Sequence, residues 1–271
     1  MFWNPYAVVA LVGGLLCYSL GHRIAMRQAC RWGWLVCSVL CLPALSFNMY
    51  YAHLWQEPWW YIEFRSVPGI EMLAACWGCL FGLACSCLAA RQDRVVRVAC
   101  HTLAVIVTLL FVAIPFLKPV LNPVESTRPL VNHWRGKACL QTSGATCGPA
   151  SLATIFAYYG IAHSEREIAR ACYTSFTGTE LWYVIRYARA HGLHVRNFQP
   201  HTLAEIPAPS LVGTTPFLDA GPVRAGHFIT VLGKTAAGYQ VADPECGCRT
   251  LSEQQFYAIY GRICDAVYFS R

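Results

Sequence analysis

Apolar residues fall into two regimes along this chain. Four stretches carry no Asp, Glu, Lys or Arg: Met1–His22, Trp32–Gln56, Met72–Ala90 and Val98–Leu117. Each is near or above the length a helix needs to cross a hydrocarbon core of about 30 Å. From Lys118 onward charges return and the apolar residues recur at shorter periods. This pattern predicts four transmembrane helices over about 4–21, 32–54, 71–90 and 98–117, within a membrane domain of residues 1–120. A linker over 121–136, carrying Pro123 and Pro129, then leads to a folded domain over 137–271.

Within that domain the apolar period changes from helical to strand-like. Leu152, Ile155, Phe156 and Tyr159 recur at helical spacing, with Pro149 in the first turn and Gly160 as the stop. Ser164 followed by Glu167 is a capping box for a second helix. A third is expected from about Thr179 to Ala190, ended by Gly192. Strand-like runs follow at Leu193–Phe198, Pro209–Val212, His227–Leu232, Tyr239–Ala242 and Ile263–Phe269, with a short helix over Ser252–Tyr260. Helices first and antiparallel strands afterwards make an α+β domain.

Charge adds an orientation. Arg23, Arg27 and Arg31 follow the first span, and Arg91, Arg94 and Arg97 follow the third. The loop between the second and third spans holds only Arg65, beside Glu57, Glu63 and Glu71. Cytoplasmic loops collect Lys and Arg, so the N-terminus and the folded domain are expected on the extracytoplasmic (periplasmic) side of the inner membrane. Trp55, Trp59, Trp60 and Tyr61 would then lie at the outer interface. The positive charge precedes no apolar core at the N-terminus, which argues against a cleaved signal peptide. The net charge of +7 includes no Lys/Arg cluster of a kind that engages nucleic acid. His101, the ionisable residue of the spans, sits near the cytoplasmic end of the fourth, where an interfacial role competes with proton relay.

The candidate chemistry centres on Cys147. A helix N-terminus favours a thiolate through its macrodipole and free amides, and Thr146-Cys147-Gly148-Pro149-Ala150 puts the thiol at such a terminus. A thiolate nucleophile needs a histidine within reach and a group to orient that histidine. His227 opens an apolar strand, with Gly226 expected to clear space beside it, and Asp243 ends the next strand before Pro244. A hairpin of those strands would bring Asp243 to His227. Gln141, six residues before Cys147, can offer its amide to an oxyanion alongside the Cys147 N–H.

Gln141, Thr146–Ala153, Gly226–Ile229 and Asp243-Pro244 together resemble the bacteriocin-processing cysteine peptidases, papain-like enzymes that cleave leader peptides after a double glycine. The resemblance runs from about Lys137 to Phe269 and implies catalytic roles for Cys147, His227, Asp243 and Gln141, with no cofactor. It also implies a papain-like peptidase fold, a substrate peptide or protein with a leader segment, and a possible export system as partner. Transporter-fused members carry an aspartate before the cysteine, where this chain has Thr146, and they carry an ATPase absent here. The implied function is that of a membrane-anchored peptidase cutting exported peptides after small residues such as Gly-Gly. A catalytically silent domain presenting leaders to an exporter is the alternative, and acyl transfer to an amine is a second.

Of the fifteen cysteines, nine lie in the first 100 residues, where Cys packs as a small hydrophobe. Cys246 and Cys248 lack the second ligand pair of a zinc site. Outside the cytoplasm they would be expected oxidised, with Cys139, Cys172 and Cys264 as further disulfide candidates and connectivity left open.

Overall fold

The computed structural model describes residues 4–27, 30–54, 58–124, 129–215 and 226–271. They divide into two compact units, one within Trp3–Glu57 and Gly69–Leu121, the other within Pro58–Pro68 and Asn122–Arg271. Trp55 and Glu57, used above in reading the outer loop, lie outside the described residues.

The first unit is helical: α1 (Tyr6–Met26), α2 (Cys30–Tyr51), a 3-10 segment (Ile70–Cys76) running into α4 (Trp77–Ala89), and α5 (Arg94–Leu121). Four of its helical stretches are long and apolar enough to cross a membrane. Their ends differ from the charge-free stretches: α1 continues through Arg23, and α5 begins at Arg94 and ends past Lys118. Arg and Lys are good helix formers whose charged heads reach water from an apolar stem, so the helix runs past the charge-free stretch. The second helix stops at Tyr51, short of the expected 54.

Helices α1 and α4 pack at backbone distance. A Cβ placed on Gly21, Gly78 or Gly82 would overlap the carbonyl oxygens of Cys79, Gly14 or Tyr18 respectively. Small residues on facing helices let their backbones approach this closely. The Tyr18 hydroxyl lies 2.7 Å from His101 Nδ1, and the His22 ring meets His101 edge-on at 5.3 Å. His101 therefore sits in a local polar contact between helices.

The second unit opens with α3 (Trp59–Arg65) and resumes at residue 122. Residues His133–Arg135 (β1), expected as linker, instead pair with β2 (Ala138–Leu140) across Gly136, whose φ of 61° suits the tight turn. Helices α6 (Cys147–Tyr158), α7 (Glu165–Ala171) and α8 (Leu181–Ala190) follow. The α7 capping box forms as read, with Glu167 N donating to Ser164 Oγ at 3.2 Å and Ser164 N to Glu167 Oε2 at 2.9 Å.

Strands β3 (His194–Phe198), β4 (Ser210–Thr215), β5 (His227–Thr235), β6 (Gly238–Asp243), β7 (Gly247–Leu251) and β8 (Arg262–Ser270) form one antiparallel sheet in the order β3-β8-β4-β5-β6-β7. Helix α9 (Glu253–Tyr260) connects β7 to β8 and lays Phe256 and Tyr260 among Val212, Ile229, Val241 and Ile263. Ser151 Oγ donates to Phe228 O at 3.1 Å, and Thr230 Oγ1 donates to Ser151 O at 3.1 Å. These two bonds stitch α6 to β5.

Helix α3 docks on α8 and β3. The buried Arg65 guanidinium lies 4.2 Å from the Trp182 ring centre, and its Nη1 donates to Tyr61 Oη at 3.0 Å. Arg189 donates to Ser66 Oγ and Glu63 Oε1, both at 2.7 Å, and Asn197 Nδ2 donates to Trp59 O at 3.1 Å. Arg186 donates to Arg65 O. Tyr61 is fully buried, which corrects its assignment to a membrane interface; Trp59 and Trp60 remain half exposed.

Candidate active site

Cys147 is the first residue of α6, and its N-cap Thr146 makes no side-chain bond to the first turn. Thr146 is occupied elsewhere. Its Oγ1 donates to Ser143 O at 2.8 Å and accepts from Ser143 N at 3.1 Å, closing the loop that precedes the helix. Where the resembled transporter-fused enzymes have a charged residue, this chain has a hydroxyl spent on loop closure.

Residues four apart share a helix face, so Ser151 and Cys147 point the same way. The Ser151–Phe228 bond thus presses the Cys147 face onto β5 one residue from His227. Gly148 is close-packed: a Cβ there would meet Thr179 at 3.4 Å and Phe228 at 3.5 Å. Gly226 is different. Among the described residues a Cβ there would meet only Thr214 O, at 3.9 Å, so the space beside His227 is open.

The hairpin of β5 and β6 brings His227 and Asp243 together as the sequence implies. His227 Nε2 lies 3.1 Å from Asp243 Oδ1, with both side chains largely shielded from solvent. The nearby Cys147 thiol also favours the protonated imidazole. With Nε2 turned to Asp243, Nδ1 is the nitrogen left for sulfur. Burial works against the imidazolium, but Asp243 and Cys147 outweigh it and push His227 up to about 10.

Asp243 is the most heavily bonded group here. Oδ1 also accepts from Glu245 N at 2.8 Å; Oδ2 accepts from Tyr260 Oη at 2.8 Å and from Cys246 Sγ at 3.1 Å. Burial opposes the charge, yet these donors and His227 hold the carboxyl well below the usual carboxylate range. The sequence reading missed Tyr260, which shows there only as one more apolar position in a short helix. It also expected Cys246 and Cys248 to be oxidised, with connectivity open. Both are free thiols, and Cys246 donates to Asp243.

Gln141 is held beside the same turn, its N donating to Pro244 O at 2.8 Å and its Nε2 reaching Glu245 Oε1 at a long 3.4 Å. The loop carrying it is anchored by Glu165, a fully buried carboxyl missed by the sequence reading beyond its place in a capped helix. Thr142 donates to it from N at 2.7 Å and from Oγ1 at 2.6 Å. Burial pushes the Glu165 carboxyl up, against those bonds. Elsewhere in this unit, a cleft of about 580 Å³ lined by Trp134, His163 and Glu167 contains none of these groups. Among the described residues no group of three His, Cys, Asp or Glu is placed to hold a metal.

Residues 135–264 match the Peptidase C39 family. Two uncharacterized archaeal proteins are similar: one from Methanothermobacter thermautotrophicus, 26% identical over 121 residues, and one from Methanothermobacter marburgensis, 28% identical over 120 residues. The matches cover 45% and 44% of this chain and 80% of each relative. Among solved structures, the peptidase domain of Streptococcus ComA, a bi-functional ABC transporter involved in quorum sensing, is 20% identical with a TM-score of 0.41. That match covers 48% of this chain and 95% of the domain. A double glycine motif protease from an AMS/PCAT transporter, in complex with the leader peptide, is 22% identical with a TM-score of 0.41, covering 52% of this chain and 96% of that one.

Proposed function

We propose, for a chain whose residues 135–264 match the Peptidase C39 family, a membrane-anchored cysteine peptidase that removes leader segments from exported peptides, cutting after small residues such as Gly-Gly. The observation that carries this reading is the His227–Asp243 pair, with Asp243 fixed on both oxygens, beside Cys147 at the start of α6. An imidazole beside a thiol at a helix N-terminus can take the thiol's proton and so activate it as a nucleophile.

In the proposed reaction the Cys147 thiolate attacks the carbonyl at the end of the leader. The oxyanion is met by the Cys147 N–H and by the Gln141 amide, which exchanges its long contact with Glu245 for the new charge. His227 gives its proton to the leaving amine as the C–N bond breaks, leaving an acyl-enzyme. It then takes a proton from water, which displaces the thiolate. The leader specificity draws on the double glycine motif protease named above, and the chain's own residues supply the chemistry.

The four apolar helices are read as spans, with the Arg-rich ends in the cytoplasm and the peptidase outside it. Residues 58–68 and 122–271 form one compact unit, which supports an even number of spans between them. Lipid bilayer and an export system are the partners this placement implies.

The test is cleavage of a synthetic peptide with an apolar leader ending in Gly-Gly by the detergent-solubilised full chain. Cys147→Ala should abolish cleavage and remove iodoacetamide labelling from the peptide bearing residue 147, with the thermal melt retained. Cleavage by that variant would overturn the mechanism. Leader binding without cleavage by the unaltered chain would favour a silent receptor.

A further inference from the structure

The bonds to Asp243 are unequal, and one of them comes from outside the hairpin. Oδ1 is held by His227 and by the Glu245 amide, both close in the β5–β6 fold. Oδ2 is held by Cys246 Sγ–H, a weak donor, and by the hydroxyl of Tyr260 at 2.8 Å. Tyr260 is 2% exposed and is the last residue of α9, packed beside Phe256. A phenylalanine would fill the same apolar place without burying a hydroxyl, which costs stability unless it finds a partner. Its ring also lies nearly parallel to the imidazole of His227, at 21° and 6.5 Å.

We infer that Tyr260 is a positioning residue of the active site: its hydroxyl fixes the rotation of the Asp243 carboxylate, so that Oδ1 stays aimed at His227 Nε2. This inference rests on the peptidase reading for its consequence in catalysis. A carboxylate can turn about its Cβ–Cγ bond, and every turn away from the present setting breaks the short oxygen–oxygen bond at Oδ2. That bond is charge-assisted, hence among the stronger ones available to a side chain. Tyr260 therefore works on His227 through Asp243 and touches neither the thiol nor the scissile bond.

The groups that bear on Asp243 and His227 are Cys147 from α6, Tyr260 from α9, and Glu245 and Cys246 from the turn, while Arg249 from β7 bears on Tyr260 and Cys246. Among them Tyr260 can be altered by a single oxygen. Tyr260→Phe keeps the ring against Phe256 and removes only the donor to Oδ2.

The experiment is a pH titration of the His227 ring by NMR on histidine-labelled full chain in detergent, with the signal assigned by His227→Gln, beside kcat and KM for the Gly-Gly peptide. Tyr260→Phe should titrate His227 at lower pH by about half a unit or more, and lower kcat about 10-fold with KM nearly unchanged. In an Asp243→Ala background the same change should cost less than about 2-fold, because the group it acts through is gone. An unmoved His227 titration overturns the inference, as does an equal cost in both backgrounds; a lowered melting temperature alone would mark Tyr260 as packing only. If the unaltered chain fails to cut the peptide while Tyr260→Phe still shifts His227, the peptidase reading falls and the positioning role stands.

Discussion

Asp243→Asn is the sharpest perturbation of the site, because it exchanges a buried charge for a neutral group of the same shape. The carboxylate accepts from His227, Glu245 N, Tyr260 and Cys246. An asparagine has one acceptor oxygen and one donor nitrogen, so half of these donors would face an N–H2 group. If the oxygen stays on His227, a charged hydrogen bond worth about 1.5–3 kcal/mol becomes a neutral one of about 0.5–1.5. If the nitrogen faces His227, the ring must take the other tautomer, an arrangement that costs about 10⁴ in kcat in a serine triad. The expected loss in kcat is therefore about 10²–10⁴-fold, with KM little changed. His227, held at about 10 chiefly against burial by Asp243 and Cys147, would fall toward the ordinary value of about 6.5. The alkaline limb of kcat/KM should move down with it, measured between pH 5 and 10.5 on the Gly-Gly peptide. A variant whose alkaline limb stays near that of the unaltered chain would refute the role given to Asp243, whatever its rate.

Gln141→Ala should lower kcat by about 10²–10³-fold with KM nearly unchanged; a rise in KM alone would make Gln141 a binding contact. Stability should follow the same ion pair. His227 is raised, so its contribution is complete below its unfolded value and is lost as pH climbs through about 10. Asp243 is lowered, so its contribution is complete above the ordinary carboxylate value and is lost only as pH falls through its depressed one. Melts of the full chain should thus fall off above about pH 9, and His227→Gln should flatten that alkaline decline. For orientation, alkaline phosphatase joined after Arg271 should be active and a cytoplasmic fluorescent reporter dark; the reverse pattern would place the peptidase in the cytoplasm.

The placement of the candidate site residues was largely legible in the sequence because they sit at element ends. Cys147 begins a helix, His227 begins a strand and Asp243 closes one, and local pattern marks such places well. The supporting groups were not legible, since their meaning depends on contacts across the fold. Tyr260 reaches Asp243 from seventeen residues away, Glu165 reaches Thr142 across twenty-three, and Ser151 reaches Phe228 across seventy-seven. Strand β7 escaped for another reason: as an edge strand its middle residues Cys248, Arg249 and Thr250 are exposed and show no apolar alternation. The β1–β2 hairpin hid in a stretch that its prolines marked as linker.

The docking of α3 has a consequence for biogenesis. The second unit is discontinuous in sequence, since residues 58–68 belong to it and are separated from the rest by Gly69–Leu121. During synthesis α3 emerges first and waits more than a hundred residues for Trp182, Arg186 and Arg189 to be made. A peptidase domain cut free at residue 122 would leave the Trp182 face bare and two arginines without their docked partners. Folding of the second unit is in this way tied to completion of the intervening helices, and a chain halted before them carries that unit unfinished.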